Sequence, residues 1–151
     1  MTKKLKKQTV EKMVMAHQEF RPSMQFIWME LAELLKSRST CSRLKVGSVI
    51  TSKDLSRVYS VGYNGGATGQ KNECESLEPG QCGHLHSEIN AMIKCQVNDS
   101  EKVLFVTTFP CDMCAKALIN SKFSKIYFKE NYRNSKAESI LNKANIIYEK
   151  L

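Results

Sequence analysis

The motifs HLHSEIN (residues 84–90) and PCDMC (110–114) stand on either side of KVLFVTT (102–108), and this bracketing restricts the fold more than any other feature of the chain. KVLFVTT has the continuous apolar character of a strand buried on both faces. The segments beside it carry helical signals. Upstream, Leu85, Ile89, Met92, Ile93 and Gln96 fall on neighbouring helix faces, and downstream a helix is predicted from about Cys111 to Lys122. Two helices that enter from the same sheet edge, with one buried strand between them, bring their first turns together. His86 and Glu88 open the first of these helices, and Cys111 and Cys114 lie on the first turn of the second.

The remaining pattern supplies the rest of the sheet. Pro22 and Ser23 precede a helical stretch with Met24, Ile27, Trp28, Leu31 and Leu35 on one face, predicted to end near Thr40. VGSVITS (46–52) and RVYSVGYN (57–64), joined by a polar turn, read as a hairpin. Residues 65–83 form a long loop rich in glycine and polar groups that carries Cys74 and Cys82. A loop of that length is usually functional or clamped. SKIYFKE is a further strand, Ala137, Ile140, Leu141 and Ala144 keep helical spacing, and NIIYEKL is the last strand. The order α, β, β, α, β, α, β, α, β predicts an α/β fold, a three-layer sandwich whose five-stranded mixed sheet lies between helices. At 151 residues one domain suffices, spanning 22–151 after a basic arm over 1–21.

A formal charge of +8 and a pI near 9.2 favour an anionic partner such as a nucleotide, phosphate or nucleic acid. Half of that excess sits in the arm, where Lys3, Lys4, Lys6, Lys7, Lys12 and Arg21 outnumber Glu11 and Glu19, and a solvated arm explains it. The apolar stretches are too short to cross a bilayer, and no apolar core or cleavage site follows the first basic run. A cytoplasmic location is therefore expected. Six cysteines in a reducing compartment are read as metal ligands or buried thiols rather than disulfides.

His86, Cys111 and Cys114 make a ligand set for zinc. Three protein donors leave a fourth position for water, the open arrangement of a catalytic rather than a structural site. Zinc acidifies such a water, and the positive end of the helix that carries Cys111 and Cys114 favours ionised thiols. Glu88, two residues after a ligand, then serves as the general acid and base that takes the water's proton and delivers it to a ring nitrogen and a leaving amine. A lone CxxC also fits a structural zinc knuckle or two buried thiols, and a glutamate at a helix start also fits the helix dipole. HxE followed by PCxxC is a more specific combination, the signature of zinc-dependent base deaminases.

SRLKVGSVI, GYNGGATG, HSEINA and TTFPCDMCAKALI, in this order across most of residues 38–132, resemble the deoxycytidylate deaminase family of the cytidine deaminase superfamily. The resemblance implies a cytidine-deaminase-like fold, hydrolysis of dCMP to dUMP and ammonia, and a homo-oligomer, with a hexamer favoured. It implies catalytic zinc on His86, Cys111 and Cys114, and proton transfer by Glu88. It further implies a substrate hydrogen bond from Asn64, helped by the backbone at Ser87, and phosphate contacts from Arg43, Lys45 and Tyr132. Ser87 replaces the usual alanine between histidine and glutamate. The glycine loop lacks a common proline, and the 21 residues between Glu88 and Pro110 imply a trimmed connection at VNDSEK. MIKCQV, after HSEINA, departs from the aromatic and arginine pattern of relatives controlled by dCTP and dTTP.

Cys41, Cys74, Cys82 and His84 remain, in or beside the long loop. A Cys3His set is a closed structural zinc site, and one here would clamp residues 65–83 in place of a core that the loop cannot build. Several deoxycytidylate deaminases resemble this in carrying a second zinc. The alternative is four unligated residues. Cys95 reads as a small buried apolar residue. Two other functions share the zinc core: a deaminase of tRNA adenosine or single-stranded DNA cytosine, and a noncatalytic zinc-stabilised binding module. A strand-tracking enzyme needs interleaved basic and aromatic residues, which the 8% aromatic content does not supply around the motifs, so nucleic acid is not the expected partner. A binding module has no use for Glu88.

Overall fold

The computed structural model describes residues 21–98, 101–133 and 136–151, so the predicted basic arm lies outside the described residues apart from Arg21. The elements are α1 (Met24–Lys36), β1 (Gly47–Thr51), β2 (Val58–Tyr63), α2 (Ser87–Lys94), β3 (Lys102–Thr108), α3 (Asp112–Asn120), β4 (Phe123–Glu130), α4 (Ala137–Lys143) and β5 (Ile147–Lys150). Their order is the predicted one. They form one five-stranded sheet, β2-β1-β3-β4-β5, in which β1 is antiparallel to both β2 and β3 while β3, β4 and β5 run parallel.

Strand β3 is the centre of the sheet and is buried along its whole length. Its side chains alternate between two apolar layers, as a two-residue repeat requires. Val103 and Phe105 face α1, in a cluster with Met29, Ala32, Val49 and Tyr127. Leu104 and Val106 face the other way, where Ala91 of α2, Leu118 of α3 and Leu141 of α4 cover them. Phe105 stacks on Tyr127 with ring centroids 4.8 Å apart. Helices on both faces make the three layers expected from sequence, and truncating a fully buried residue such as Leu104 to alanine costs about 2–5 kcal/mol.

Helix α1 begins at Ser23, whose Oγ accepts the Phe26 amide at 3.2 Å. It closes at Lys36, short of the predicted Thr40. The amides of Ser37, Arg38 and Ser39 donate to carbonyls three residues back, so the chain leaves the helix through a tightened last turn. Met24 and Ile27, predicted to face the core, are 40% and 36% exposed, because Met29 and Ala32 lead the buried stripe instead. Helix α2 starts at Ser87 with His86 as an extended N-cap. An antiparallel bridge between Gly65 and Leu85 keeps the approach to that cap extended. Gly62 lets α2 settle on β2, since a Cβ there would run into the Ser87 carbonyl and the Ala91 amide. Ser60 Oγ donates to the Ala91 carbonyl at 2.7 Å and Asn90 Nδ2 to the Tyr63 carbonyl at 2.9 Å, which fixes the pitch of the helix against the strand.

Candidate active site

A cavity of about 280 Å³ opens beyond the C-terminal ends of the parallel strands β3 and β4. That is the edge where α/β sheets take ligands, beyond the carboxyl ends of the parallel strands. Its floor is made by the first turns of α2 and α3, and the juxtaposition expected from HSE and PCDMC is realised. His86 Nδ1 lies 3.4 Å from Cys111 Sγ and 3.4 Å from Cys114 Sγ. All three donor atoms fall within 4.8 Å of one another. With Zn–S near 2.3 Å and Zn–N near 2.0 Å, the N···S edge of a tetrahedron is about 3.5 Å, so these residues fit a zinc ion as they stand.

Local structure explains the arrangement. Cys111 is the N-cap of α3, and its Sγ accepts the Cys114 amide at 3.5 Å. Asp112 Oδ1 accepts the Lys136 amide at 2.8 Å and ties the start of α3 to the residue capping α4. The proton balance among the three donors is strongly polarised. A hydrogen bond from the Cys114 thiol, with help from His86, brings Cys111 down to about 4. The same contact with Cys111, together with burial, pushes Cys114 up. The hydrogen bond to Cys111 raises His86 to about 9. Free of metal, the cluster holds a Cys111 thiolate beside a His86 imidazolium and a Cys114 thiol.

Glu88 lies beside this cluster and is only 4% exposed. Burial pushes its carboxyl up, opposed by its own backbone amide, the His86 charge and the Ser87 hydroxyl. Such a group can hold a proton and release it, which acid–base work requires. Ser87 Oγ donates to Glu88 Oε2 at 3.0 Å and lies 2.6 Å from Ser48 Oγ on β1. Both serines are fully buried. This hydroxyl pair was not foreseen in the role of Ser48, since only the register of β1 beneath α2 brings Ser48 to the site.

The other sequence candidates divide. Asn64 lines the cavity and is buried, with Oδ1 accepting the Val46 amide and Nδ2 donating to the Leu44 carbonyl, each at 2.7 Å. Those bonds fix its orientation. Ser87, Arg43 and Tyr132 also line the cavity, whereas Lys45 is exposed and stands outside its lining. Lys36 and Arg133 line it too, and neither was singled out from sequence. Their position, Lys36 at the end of α1 and Arg133 shortly after β4, was the available signal.

A second group forms beside the cavity, whose lining includes its Cys41. Cys41, Cys74 and His84 offer donor atoms within 4.8 Å of one another, with Cys41 Sγ 3.7 Å from Cys74 Sγ. A tetrahedral zinc site has an S···S edge of about 3.8 Å. His84 Nε2 sits 3.1 Å from the Glu73 carbonyl, and His84 Nδ1 is buried without a hydrogen-bond partner. An orphaned ring nitrogen beside two thiols fits a missing cation. Cys82, expected in the same set, stands outside that 4.8 Å group and lines the main cavity, where its carbonyl is held by the Glu75 amide at 3.0 Å. The two histidines of HLH thus stand in separate groups, His84 with Cys41 and Cys74 and His86 with Cys111 and Cys114.

Residues 23–130 match the zinc-binding region of cytidine and deoxycytidylate deaminases. A Caenorhabditis elegans protein named probable deoxycytidylate deaminase is 34% identical over 136 residues, covering 82% of this chain and 68% of that protein. ComE operon protein 2 of Bacillus subtilis is 30% identical over 132 residues, covering 82% of this chain and 69% of its own. The crystal structure of dCMP deaminase from cyanophage S-TIM5, in complex with dCMP and dUMP, superposes with a TM-score of 0.76 at 29% identity, covering 87% of this chain and 99% of that one. A zinc-binding region matched over most of the chain, on a donor cluster whose edges suit zinc, means that this chain belongs to the deoxycytidylate deaminase family of the cytidine deaminase superfamily.

Proposed function

We propose that the chain hydrolyses dCMP to dUMP and ammonia, supplying dUMP for thymidylate synthesis. The observation that carries this reading is the buried Glu88, which lines one cavity with His86 and Cys111 and stands beside the donor cluster that those two form with Cys114. His86, Cys111 and Cys114 would hold a zinc ion, which when bound would acidify a water molecule enough to give hydroxide near neutral pH. Glu88 takes one proton from that water and passes it to N3 of the cytosine, then carries the second, from the hydroxyl newly formed on C4, to the departing amine, so that water enters and ammonia leaves. Asn64, oriented by Val46 and Leu44, hydrogen-bonds the nucleotide with help from the backbone at Ser87. Arg43 and Tyr132 at the rim meet the phosphate, and exposed Lys45 adds positive charge to the same approach.

The second donor group holds a structural zinc through Cys41, Cys74 and His84, with Cys82 turning in as the fourth ligand. The orphaned His84 Nδ1 and the Cys41–Cys74 spacing support it. The chain works in the cytoplasm as a homo-oligomer, a hexamer by family resemblance. Free thiols suit that compartment. Leu34, Ile93 and Met113, each at least 68% exposed on three different helices, are the apolar surface that assembly would cover. Among the described residues no helix is long and apolar enough to cross a membrane.

Ammonia release from dCMP and deoxycytidine, measured side by side at equal concentration on zinc-loaded protein, tests the reading. Strong preference for dCMP is the expected result. Turnover of neither would overturn it and favour a polynucleotide substrate.

A further inference from the structure

We propose that the group of Cys41, Cys74 and His84 sets the affinity of the catalytic cavity for its nucleotide, because a metal ion held there closes a ring of contacts that fixes Asn64. Cys41 and His84 are then positioning residues for substrate binding as well as metal ligands. This rests on the dCMP reading and on the second metal site above, and it joins the two.

The ring can be followed bond by bond. His84 precedes Leu85, whose amide donates to the Gly65 carbonyl at 3.0 Å and whose carbonyl accepts the Gly65 amide at 3.1 Å. Gly65 follows Asn64. The Asn64 side chain accepts the Val46 amide through Oδ1 and donates to the Leu44 carbonyl through Nδ2, each at 2.7 Å. From Leu44 the chain runs back through Arg43 and Ser42 to Cys41, whose amide donates to Ser39 Oγ at 3.2 Å. The step from Cys41 back to His84 is the one that a metal ion closes. Their donor atoms and that of Cys74 lie within 4.8 Å of one another, and His84 Nδ1 is buried without a hydrogen-bond partner.

Residues 41–46 lie between α1 and β1, and Gly65 opens the long loop, so the anchors of Asn64 are not fixed by a helix or an extended sheet. Asn64 is buried and lines the cavity, as does Cys41. An asparagine amide carries a donor at one end and an acceptor at the other, so it reads a ligand only while it is held in one orientation. Coupling between two sites needs a contiguous set of contacts with two arrangements, and the closed and the open ring provide them. The catalytic cluster is held separately. His86 is the N-cap of α2, and its carbonyl accepts the Asn90 amide at 3.0 Å, so the helix keeps it in place whether or not His84 is ligated. Opening the ring therefore weakens nucleotide binding and spares the chemical step.

Cys74 completes the donor group but lies outside the ring, so Cys74→Ser opens the ring without removing one of its hydrogen bonds. The test measures deamination of dCMP by this variant, as the full zinc-loaded chain, together with binding of dUMP by calorimetry. The expected result is a KM raised about fivefold, on the order of one hydrogen bond, with kcat nearly unchanged and dUMP bound about fivefold more weakly. Asn64→Ala and the double variant complete a cycle. Adding Cys74→Ser to Asn64→Ala should raise KM no further, because both changes act on the same contact. Effects that multiply would overturn the proposal, as would unchanged dUMP affinity in Cys74→Ser. If Cys74→Ser does not fold, the unaltered chain depleted to one zinc ion, with kcat retained, carries the same comparison. Weaker dUMP binding than at two ions is expected there, and equal binding would overturn the proposal. The underlying readings are measured on the unaltered chain before any variant is made. No preference for dCMP over deoxycytidine removes the substrate reading, saturation at one zinc ion removes the second metal, and the proposal falls with either.

Discussion

The two donor clusters use the same side chains on different supports. His86, Cys111 and Cys114 stand on the first turns of α2 and α3, which the buried strand β3 holds at a fixed spacing. Cys41, Cys74 and His84 come from loop positions between regular elements. The first cluster has a buried carboxylate beside it in an open cavity, and the second is formed without one. A metal that performs chemistry needs an open position and a proton carrier, held by elements rigid enough to keep the geometry. A metal that replaces a missing core needs only to be enclosed, and it contributes its binding energy to folding.

Glu88→Gln breaks that contrast most severely. It keeps the size and most contacts of the side chain but cannot carry the proton, so kcat should fall about 10²- to 10⁴-fold. Zinc content, read by elemental analysis, should stay at the unaltered level. Equal loss of metal and activity would show that Glu88 supports the site rather than acting in it.

The catalytic cluster should also load metal with a steep pH dependence. Zinc requires two thiolates and a neutral imidazole, whereas the metal-free cluster keeps protons on His86, raised to about 9, and on Cys114, which is pushed up. Cys111, lowered to about 4, is already ionised at neutral pH. Binding therefore releases about two protons, and the apparent association constant should rise about 100-fold per pH unit between roughly pH 6 and 8. Competition with a chromophoric chelator across that range measures the slope. A slope near zero would mean that the donors are already deprotonated.

Cys74→Ser tests the other cluster. It should lower zinc stoichiometry from two ions to one and reduce unfolding stability by on the order of 2 kcal/mol. Deamination at temperatures well below the new midpoint should persist. Abolished activity at unchanged stability would erase the division between a working metal and a clamping one.

The same contrast explains what could be read in advance. The catalytic donors were legible because each sits at a fixed offset from a helix start, and helix starts are marked by local sequence. The order of elements along the chain and the three layers followed from the period of the apolar pattern for the same reason, whereas the order of strands within the sheet came only with the structure. Cys82 stands outside the 4.8 Å group of Cys41, Cys74 and His84, a position that composition cannot give because it cannot trace the path of a nineteen-residue loop over 65–83. Met24 and Ile27 were assigned to the core because spacing defines a helix face but not the rotation of the helix against the sheet. Ser48 is the clearest case, since its role depends on which β1 side chain lies under the first turn of α2.

That last contact gives the smallest and sharpest test. Ser87 Oγ joins Ser48 Oγ to Glu88 Oε2, and both hydroxyls are fully buried. Ser87→Ala restores the residue usual in the family, yet here it strands the Ser48 hydroxyl away from water, at a cost of about 1 kcal/mol. It also frees the Glu88 carboxylate from one restraint, so kcat should fall a few-fold, on the order of one hydrogen bond's worth, with KM unchanged. Adding Ser48→Ala should recover much of the stability, because the stranded hydroxyl is gone, but none of the kcat. If both quantities recover together, the serine pair acts only as packing, and Glu88 is held by its place on α2 alone.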